Sequence, residues 1–560
     1  MLMTIPYLLL SVAGLTLLIF LHELGHYVVA KRAGMKVEVF SIGFGRALLS
    51  WKKGGVTWQI GWIPVGGYVK IAGMGKEGDL EPYEVKGGFY SKSPWTRIKV
   101  ALAGPFVNMV FALLLFTLIW VAGGRQRPFR ESTRVIGWVD PGSELYRNGV
   151  RPGDEVTEYN GEKIRGFEDL VYATLMNGSA VSVEGNKVDY YHRTKEPYDY
   201  LLKSYVNTSS AIRLKSVGIE APASYLIYDD ESNRRGNAFF PYSPMAKSGI
   251  RSGERLVWVD GELVFSARQL SHLINERKAL LTVERGGKRF LRRAPRLFVE
   301  DLCLSTDERA SLSDPIYAVA PEGKARFVPY VVGRGLTVER GLSFVDQEAR
   351  LRDVSRLPVH SSVDAPLQPG DRIIAVDGAP VITERDLVKA LQTRRIWMIV
   401  EEKPKQSGSI LWKEEDRIFE KSTEWGELLP IVQTIGDETP LQRNGPFRCL
   451  TPVSPLTLKD LISSVPAIPS VNHFMRNRLR EIGKISRPQL KRETLRRFHE
   501  EQNRLTLGVR FQDRLVTYNP PPPSLFFSLC KKIIRGFIVL FHAPPEVRQE
   551  GAGGRRIILP

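Results

Sequence analysis

Leu21-His22-Glu23-Leu24-Gly25-His26 decides the reading of this 560-residue chain, because it sets a metal-binding spacing at the end of an uncharged segment. Histidines four residues apart share one face of a helix, one turn apart, so both imidazoles can reach a single Zn2+. Glu23 stands beside them, where a carboxylate can take a proton from a water attacking a carbonyl and pass it to the leaving amine. HExxH therefore suggests hydrolysis. A match this short also arises by chance, with His22 and His26 as ordinary helix residues. Against that, the seventeen residues Ile5 to Leu21 carry no charge, and burying Glu23 after such a run is costly without compensation.

The first segment has no basic residue before Ile5 and no small-residue cleavage site, so it is predicted to be a retained span rather than a signal peptide. A second uncharged run, Val100 to Gly124, covers twenty-five residues and is long enough to cross a bilayer. Between the two, Lys31 to Arg97 carries eleven Lys or Arg against five Asp or Glu. That excess places the loop on the cytoplasmic side, with everything after Gly124 on the other. Within the loop, Phe40-Ser-Ile-Gly-Phe-Gly45 and Ile63-Pro-Val-Gly-Gly-Tyr-Val-Lys70 predict glycine-punctuated strands. Such strands can dip into a membrane if their backbone groups pair with each other or with a substrate strand. A plain surface hairpin is the alternative.

These stretches together resemble one family. HELGH, FSIGFG, IPVGGYVKIAG, the run Phe89-Tyr-Ser-Lys-Ser-Pro-Trp-Thr-Arg97 and Ala103-Gly-Pro-Phe-Val-Asn108 follow one another as in bacterial site-2 proteases of the RseP type. The resemblance implies an intramembrane zinc metalloprotease, with His22 and His26 as metal ligands, Glu23 as catalytic base and Zn2+ as cofactor. It also implies that the glycine-rich loop holds an unwound substrate helix as a strand. Asn108 is similar to the family's polar residue near the active site, and a helix-packing amide is its other reading.

Size and charge bound the rest. A chain this long exceeds one hydrophobic core, so several domains are expected. The formal charge of +18 is spread along the sequence with no nucleic-acid motif beside it, so no nucleic-acid partner is expected. Three cysteines make no disulfide framework, and a Cys303 to Cys449 bridge is the one pairing considered.

Beyond Arg125 a pattern repeats. Gly149-Val-Arg-Pro-Gly-Asp154 leads to Asn160-Gly161, Gly249-Ile-Arg-Ser-Gly-Glu254 to Asp260-Gly261, and Pro366-Leu-Gln-Pro-Gly-Asp371 to Asp377-Gly378. Val156 and Tyr159, Leu256 and Val259, and Ile373 and Val376 sit at equivalent apolar positions. Each copy reads as a turn, a short core strand and a hairpin corner at which glycine supplies positive φ. The pattern resembles PDZ modules, which bind extended peptides at a sheet edge. That implies screening of substrates by size or exposed C-terminus, with simple packing as the other role. Further on, Arg476 to Arg504 suggests basic helices interrupted by Pro488, either solvated or lying on a membrane surface.

The chain departs from the family at its end. The resemblance implies a third zinc ligand, an Asp in an Asn-Pro…Leu-Asp-Gly motif, yet after Tyr518-Asn519-Pro520 only prolines and an apolar stretch follow, and the last aspartate is Asp513. His542 and Glu546 are separated by Pro544 and Pro545, so no helix aligns them. The third ligand stays unknown, and weak zinc binding with slow or no cleavage is expected of the chain as given.

The expected fold is an α+β membrane protein. Its order is a first span at 1–30, a membrane-associated β loop at 31–97, a second span at 98–124, and PDZ-like domains at 125–215, 216–300 and 330–405. A mixed, partly helical basic extension at 406–525 and an atypical end at 526–560 complete it. The expected function is intramembrane zinc proteolysis of single-span membrane proteins in a bacterial inner membrane. The alternative is a membrane-anchored peptide-binding protein without activity. Expected partners are those substrates, peptide C-termini or extended segments at the PDZ-like domains, and the lipid bilayer.

Overall fold

A computed structural model describes residues 4–75, 80–175, 180–206, 215–228, 243–319, 325–346, 349–357, 359, 361–402, 425–463, 480, 482 and 488–542. Two compact units divide it, one formed by 1–125 with 518–536 and the other by 126–517 with 537–560.

The first unit is built on two helices, α1 (Thr4–Arg32) and α2 (Pro94–Val121), joined through strands β1 (Val37–Lys53) and β2 (Val56–Ile71). Proline at the first position of α2 costs no hydrogen bond, and the Ser93 hydroxyl accepts from Thr96 N–H to cap the turn. Both helices are long and apolar enough to cross a membrane. Leu10, Leu102 and Val121 are exposed along them, as side chains facing lipid would be. The helices approach closely through small residues: a Cβ on Gly25 would lie 2.6 Å from the Ala103 carbonyl oxygen. In the loop, Val39 to Ile42 register with Thr57 to Ile60 on one side and with Lys70 to Gly67 on the other. The end of β2 is therefore a sheet edge. The rings of Phe40 and Trp58 lie 4.5 Å apart at a tilt of 34°, with Tyr27 of α1 edge-on to both.

In the second unit the first repeat has a core of its own. It runs β3 (Ile136–Val139), β4 (Glu155–Tyr159), α3 (Phe167–Leu175), β5 (Ala180–Asp189), β6 (Thr194–Lys203) and β7 (Ile219–Pro222). β4 pairs with β5, β5 with β6 and β7 with β3. Its core, from Ile136 through Tyr159 and Val183 to Val217, uses only these elements and their connections.

The chain then continues through β8 (Ile227–Tyr228), β9 (Arg255–Val259), α4 (Ala267–Asn275), β10 (Lys278–Arg285), β11 (Lys288–Pro295), β12 (Tyr330–Gly333), β13 (Thr337–Gly341), β14 (Arg372–Val376), α5 (Glu384–Gln392), β15 (Met398–Glu401), β16 (Phe447–Cys449), α6 (Pro488–Gln502), β17 (Phe511–Gln512) and α7 (Pro522–His542). Helix α4 is capped by Ser266 and buries Leu270, Leu273 and Ile274 on one stripe. Helix α5 carries a Thr383/Asp386 capping box and buries Leu387, Val388 and Leu391.

By analogy with the first repeat, β9 should pair with β10 and β14 with β15. Instead β9 pairs with β15 and β14 with β10. One sheet runs from the short strand Arg443–Asn444 through β16-β15-β9-β8-β17 and the other runs β11-β10-β14-β13-β12. The third repeat is thus nested within the second: its core, Ala279 through Leu391, lies wholly inside 278–392. The core of the second repeat draws on Leu226 to Ile274 and then on Ile396 to Leu507. The expected ranges 216–300 and 330–405 are corrected accordingly, and part of 406–525 belongs to the second repeat, since β16 pairs with β15 and β17 with β8. The repeated motif marks each corner but carries no information on which later strand closes it.

Pro488 opens α6, and residues 483–487 before it lie outside the described residues. One smaller correction follows. Cys303 and Cys449 are both free; Cys303 is exposed, whereas Cys449 is buried on β16 near the Met398 carbonyl. Glu546 and the rest of 543–560 lie outside the described residues.

Candidate metal centre

His22 and His26 fall one turn apart on α1, and their Nε2 atoms stand 3.2 Å from each other. Two ligands of one tetrahedral zinc, each bonded at 2.0–2.1 Å, lie about 3.3 Å apart. The space in front of both nitrogens exists because residue 104 has no side chain: a Cβ there would lie 2.4 Å from His26 Nε2 and 2.7 Å from His22 Nε2. The pair therefore fits the geometry of a shared metal.

The far sides of both rings are engaged by α2. His26 Nδ1 lies 2.7 Å from the Val100 carbonyl oxygen, so it carries the proton and leaves Nε2 with a free lone pair. His22 Nδ1 lies 3.1 Å from Asn108 Nδ2. The Asn108 Oδ1 atom is buried without a hydrogen-bond partner among the described residues. Val100, Gly104 and Asn108 follow one another at four-residue intervals and so form one stripe on α2 that meets the two histidines. The sequence reading named Asn108 but passed over Gly104 and the Val100 backbone. Their helical spacing was visible; that this face of α2 lies against α1 was not.

Glu23 faces the edge strand. A Cβ on Gly67 of β2 would sit 3.0 Å from Glu23 Cγ and 2.8 Å from the Ser41 carbonyl oxygen, so the backbone of this strand packs directly on the carboxylate side chain.

Two imidazoles are what the described residues bring together. Among them no group of three or more His, Cys, Asp or Glu is placed to hold a metal. Asn519, the residue before Pro520, donates from Nδ2 to the Trp120 carbonyl oxygen at 3.1 Å. Trp120 is three helical turns beyond Asn108, about 18 Å along α2, so Asn519 closes the helix end rather than joining the histidines.

The model of peptidase family M50 matches residues 10–420. Two similar relatives carry the name "Putative zinc metalloprotease". The one from Chlamydia pneumoniae is 34% identical over 560 residues, covering 97% of this chain and 84% of the relative. The one from Chlamydia trachomatis serovar D is 34% identical over 532 residues, covering 93% of this chain and 80% of the relative. The metalloprotease MmpA of Caulobacter vibrioides is 31% identical over 230 residues, covering 37% of this chain and 56% of its own. The family match takes in both histidines, Glu23 and most of the second unit, and the chain belongs to peptidase family M50, the site-2 protease family of zinc metalloproteases.

Proposed function

We propose that the protein is an intramembrane zinc endopeptidase, spanning a bacterial inner membrane more than once, that cuts single-span membrane proteins already shortened by another protease. The observation that carries this reading is the pair of Nε2 atoms 3.2 Å apart before Gly104, next to Glu23, on a helix apolar enough to lie in a bilayer. His22 and His26 would hold the zinc. When bound, the metal supplies Lewis acidity to a peptide carbonyl and to water.

Glu23 takes a proton from the attacking water and returns it to the departing amide nitrogen. The edge at Gly67 to Ile71 receives an extended substrate segment through backbone hydrogen bonds, which brings its carbonyls alongside Glu23. A helix entering a bilayer has its own backbone bonds closed, so it must unwind before it can be cut. Pairing with a preformed edge compensates the groups so exposed.

The three outer repeats act as PDZ-like modules that screen what reaches the membrane unit. Support comes from strands β7, β12 and β17, each of which ends a sheet and pairs on one side only within it. The reading as an inactive peptide-binding anchor is not favoured, because the family match spans the catalytic motif and the outer unit together.

The test is cleavage of a single-span model protein in liposomes by the protein and by Glu23→Gln. With two imidazole ligands brought together, slow cleavage is expected, sensitive to a zinc chelator and lost in the variant while zinc stays bound. Undiminished cleavage by Glu23→Gln would overturn the assignment.

A further inference from the structure

Helix Thr306–Val319 lies within the sequence of the third repeat and belongs to none of its sheets. Near its start, Glu308 pairs with Arg340 of β13, the residue opposite Val331 of β12. Towards its end, Pro315 shares an open cleft of about 420 Å3 with Arg334 and Leu336 of the β12–β13 turn and with Ile382 and Arg385 at the start of α5. Between these points Leu312, Ile316 and Val319 form one stripe that packs on the core of the repeat, as Val332 of β12 and Ala390 of α5 also do. The helix therefore lies against α5 and follows the β12–β13 hairpin from Arg340 to its turn.

Its sequence makes it a weak helix. The start is well closed, with Ser305 N–H bonding to Glu308 Oε2 and Glu308 N–H to Ser305 Oγ. Further on, Pro315 removes a hydrogen bond from the interior, and Ser311 and Ser313 turn their hydroxyls back onto the Glu308 and Ala310 carbonyls. A helix of 14 residues with these interruptions is marginal by itself, so its tertiary contacts hold it in place. In the cleft beside Pro315, the guanidinium groups of Arg334 and Arg385 make no ion pair among the described residues.

We propose that this helix is a latch on the third repeat, standing where an extended peptide would join the free edge of β12. The groove then opens only to a peptide that displaces the helix. This inference rests on the reading of the third repeat as a peptide-binding module. The placement also defines the peptide. An antiparallel partner, the more stable pairing, ends near Tyr330 and passes its upstream residues over the β12–β13 turn. A carboxylate there, about four positions from the C-terminus, meets Arg334 and Arg385.

The test uses the full chain in lipid nanodiscs and two fluorescein-labelled pools of decapeptides built from valine, serine and alanine. One pool has glutamate four positions from the C-terminus and the other has lysine there. Fluorescence anisotropy reads binding, and backbone hydrogen exchange reads the helix. The glutamate pool is expected to speed exchange of the helix amides in the parent, because a displaced helix loses its protection. Slower or unchanged exchange on binding would mean that the peptide docks beside a helix that stays, and would overturn the proposal.

The double variant Leu312→Ser/Ile316→Ser loosens the latch, and its affinity for the glutamate pool should exceed the parent's by about tenfold or more, as for a groove otherwise open less than about a tenth of the time. Adding Arg334→Ala and Arg385→Ala should lower the glutamate pool to the level of the lysine pool. A glutamate preference that survives both arginine substitutions would overturn the assignment of the carboxylate. Equal binding by the parent and the loosened chain would overturn the latch while leaving the peptide-binding reading intact. No binding by either chain would overturn both.

Discussion

The first repeat and the later two share one corner and close it differently. Asn160 donates its backbone N–H to Ser182 O and accepts from Ser182 N–H at Oδ1, so its corner is tied to the strand that follows its own helix. Asp260 makes the same two bonds with Trp397, and Asp377 makes them with Leu280. All three corner residues have positive φ, between 44° and 51°, which Asn and Asp tolerate better than other side chains. Identical local chemistry is thus compatible with sequential or nested closure. Loop-closure entropy grows only slowly with length, so the second repeat can hold an inserted domain between α4 and β15 at modest cost.

The acidic residue that opens each corner strand shows the same divergence. Asp154, Glu254 and Asp371 each accept a backbone N–H three residues back, from Arg151, Arg251 and Gln368. Their remaining capacity is met by Val188 N–H in the first repeat, by Arg448 in the second and by Arg285 of β10 in the third. Where strands come from distant parts of the chain, arginines join the closure. Arg255 on β9 and Glu401 on β15, with side chains 1% and 2% exposed, form a buried pair across the same junction.

The strongest way to break this comparison is to cut the chain. A fragment of 278–392 contains its whole core and is expected to unfold cooperatively, whereas a fragment of 216–300 holds parts of two cores and is expected to be unfolded. Circular dichroism during urea titration reads both. A folded 216–300 fragment would refute the nesting.

A smaller effect sharpens it. In the second unit, Arg255→Met takes the guanidinium away from the buried Glu401 carboxylate and should cost about 3–5 kcal/mol. Replacing both residues by Met should recover most of that loss. If the single variant lost less than about 1 kcal/mol in urea unfolding, the pair would not hold the junction.

The smallest expected effect is on pH dependence, with opposite signs in the first and third repeats. Burial pushes Asp154 up to about 6, against the opposing N–H groups of Arg151 and Val188. Its contribution to stability is therefore full below the unfolded value and is lost as pH rises through about 6, by up to about 3 kcal/mol. Burial pushes Asp371 up too, but the Arg285 guanidinium and the Gln368 N–H outweigh it and hold the carboxyl below its ordinary value. Its contribution is present above the unfolded value and is lost as pH falls. Unfolding of the second unit between pH 3 and 7 should show Asp154→Asn flattening the upper limb and Asp371→Asn the lower. The same change in both variants would contradict this assignment.

These contrasts explain what could be read from sequence. The helical spacing of His22 and His26 fixes a shared face without any tertiary information, and uncharged runs fix two long apolar helices. Glycine spacing reveals the three corners because each corner is local. Strand exchange was not legible, since Lys278 follows α4 after two residues and nothing in that short link says it pairs with Arg372–Val376. Gly104 was passed over for a similar reason: an absent side chain has meaning only once the facing helix is known.

The most direct test of the metal centre is zinc K-edge X-ray absorption on the full chain loaded with one equivalent of Zn2+. Two imidazole nitrogens at about 2.0–2.1 Å are expected in the parent, with that signal lost in both His22→Ala and His26→Ala. A spectrum without imidazole scattering, or one unchanged by either substitution, would contradict the placement of zinc between α1 and α2.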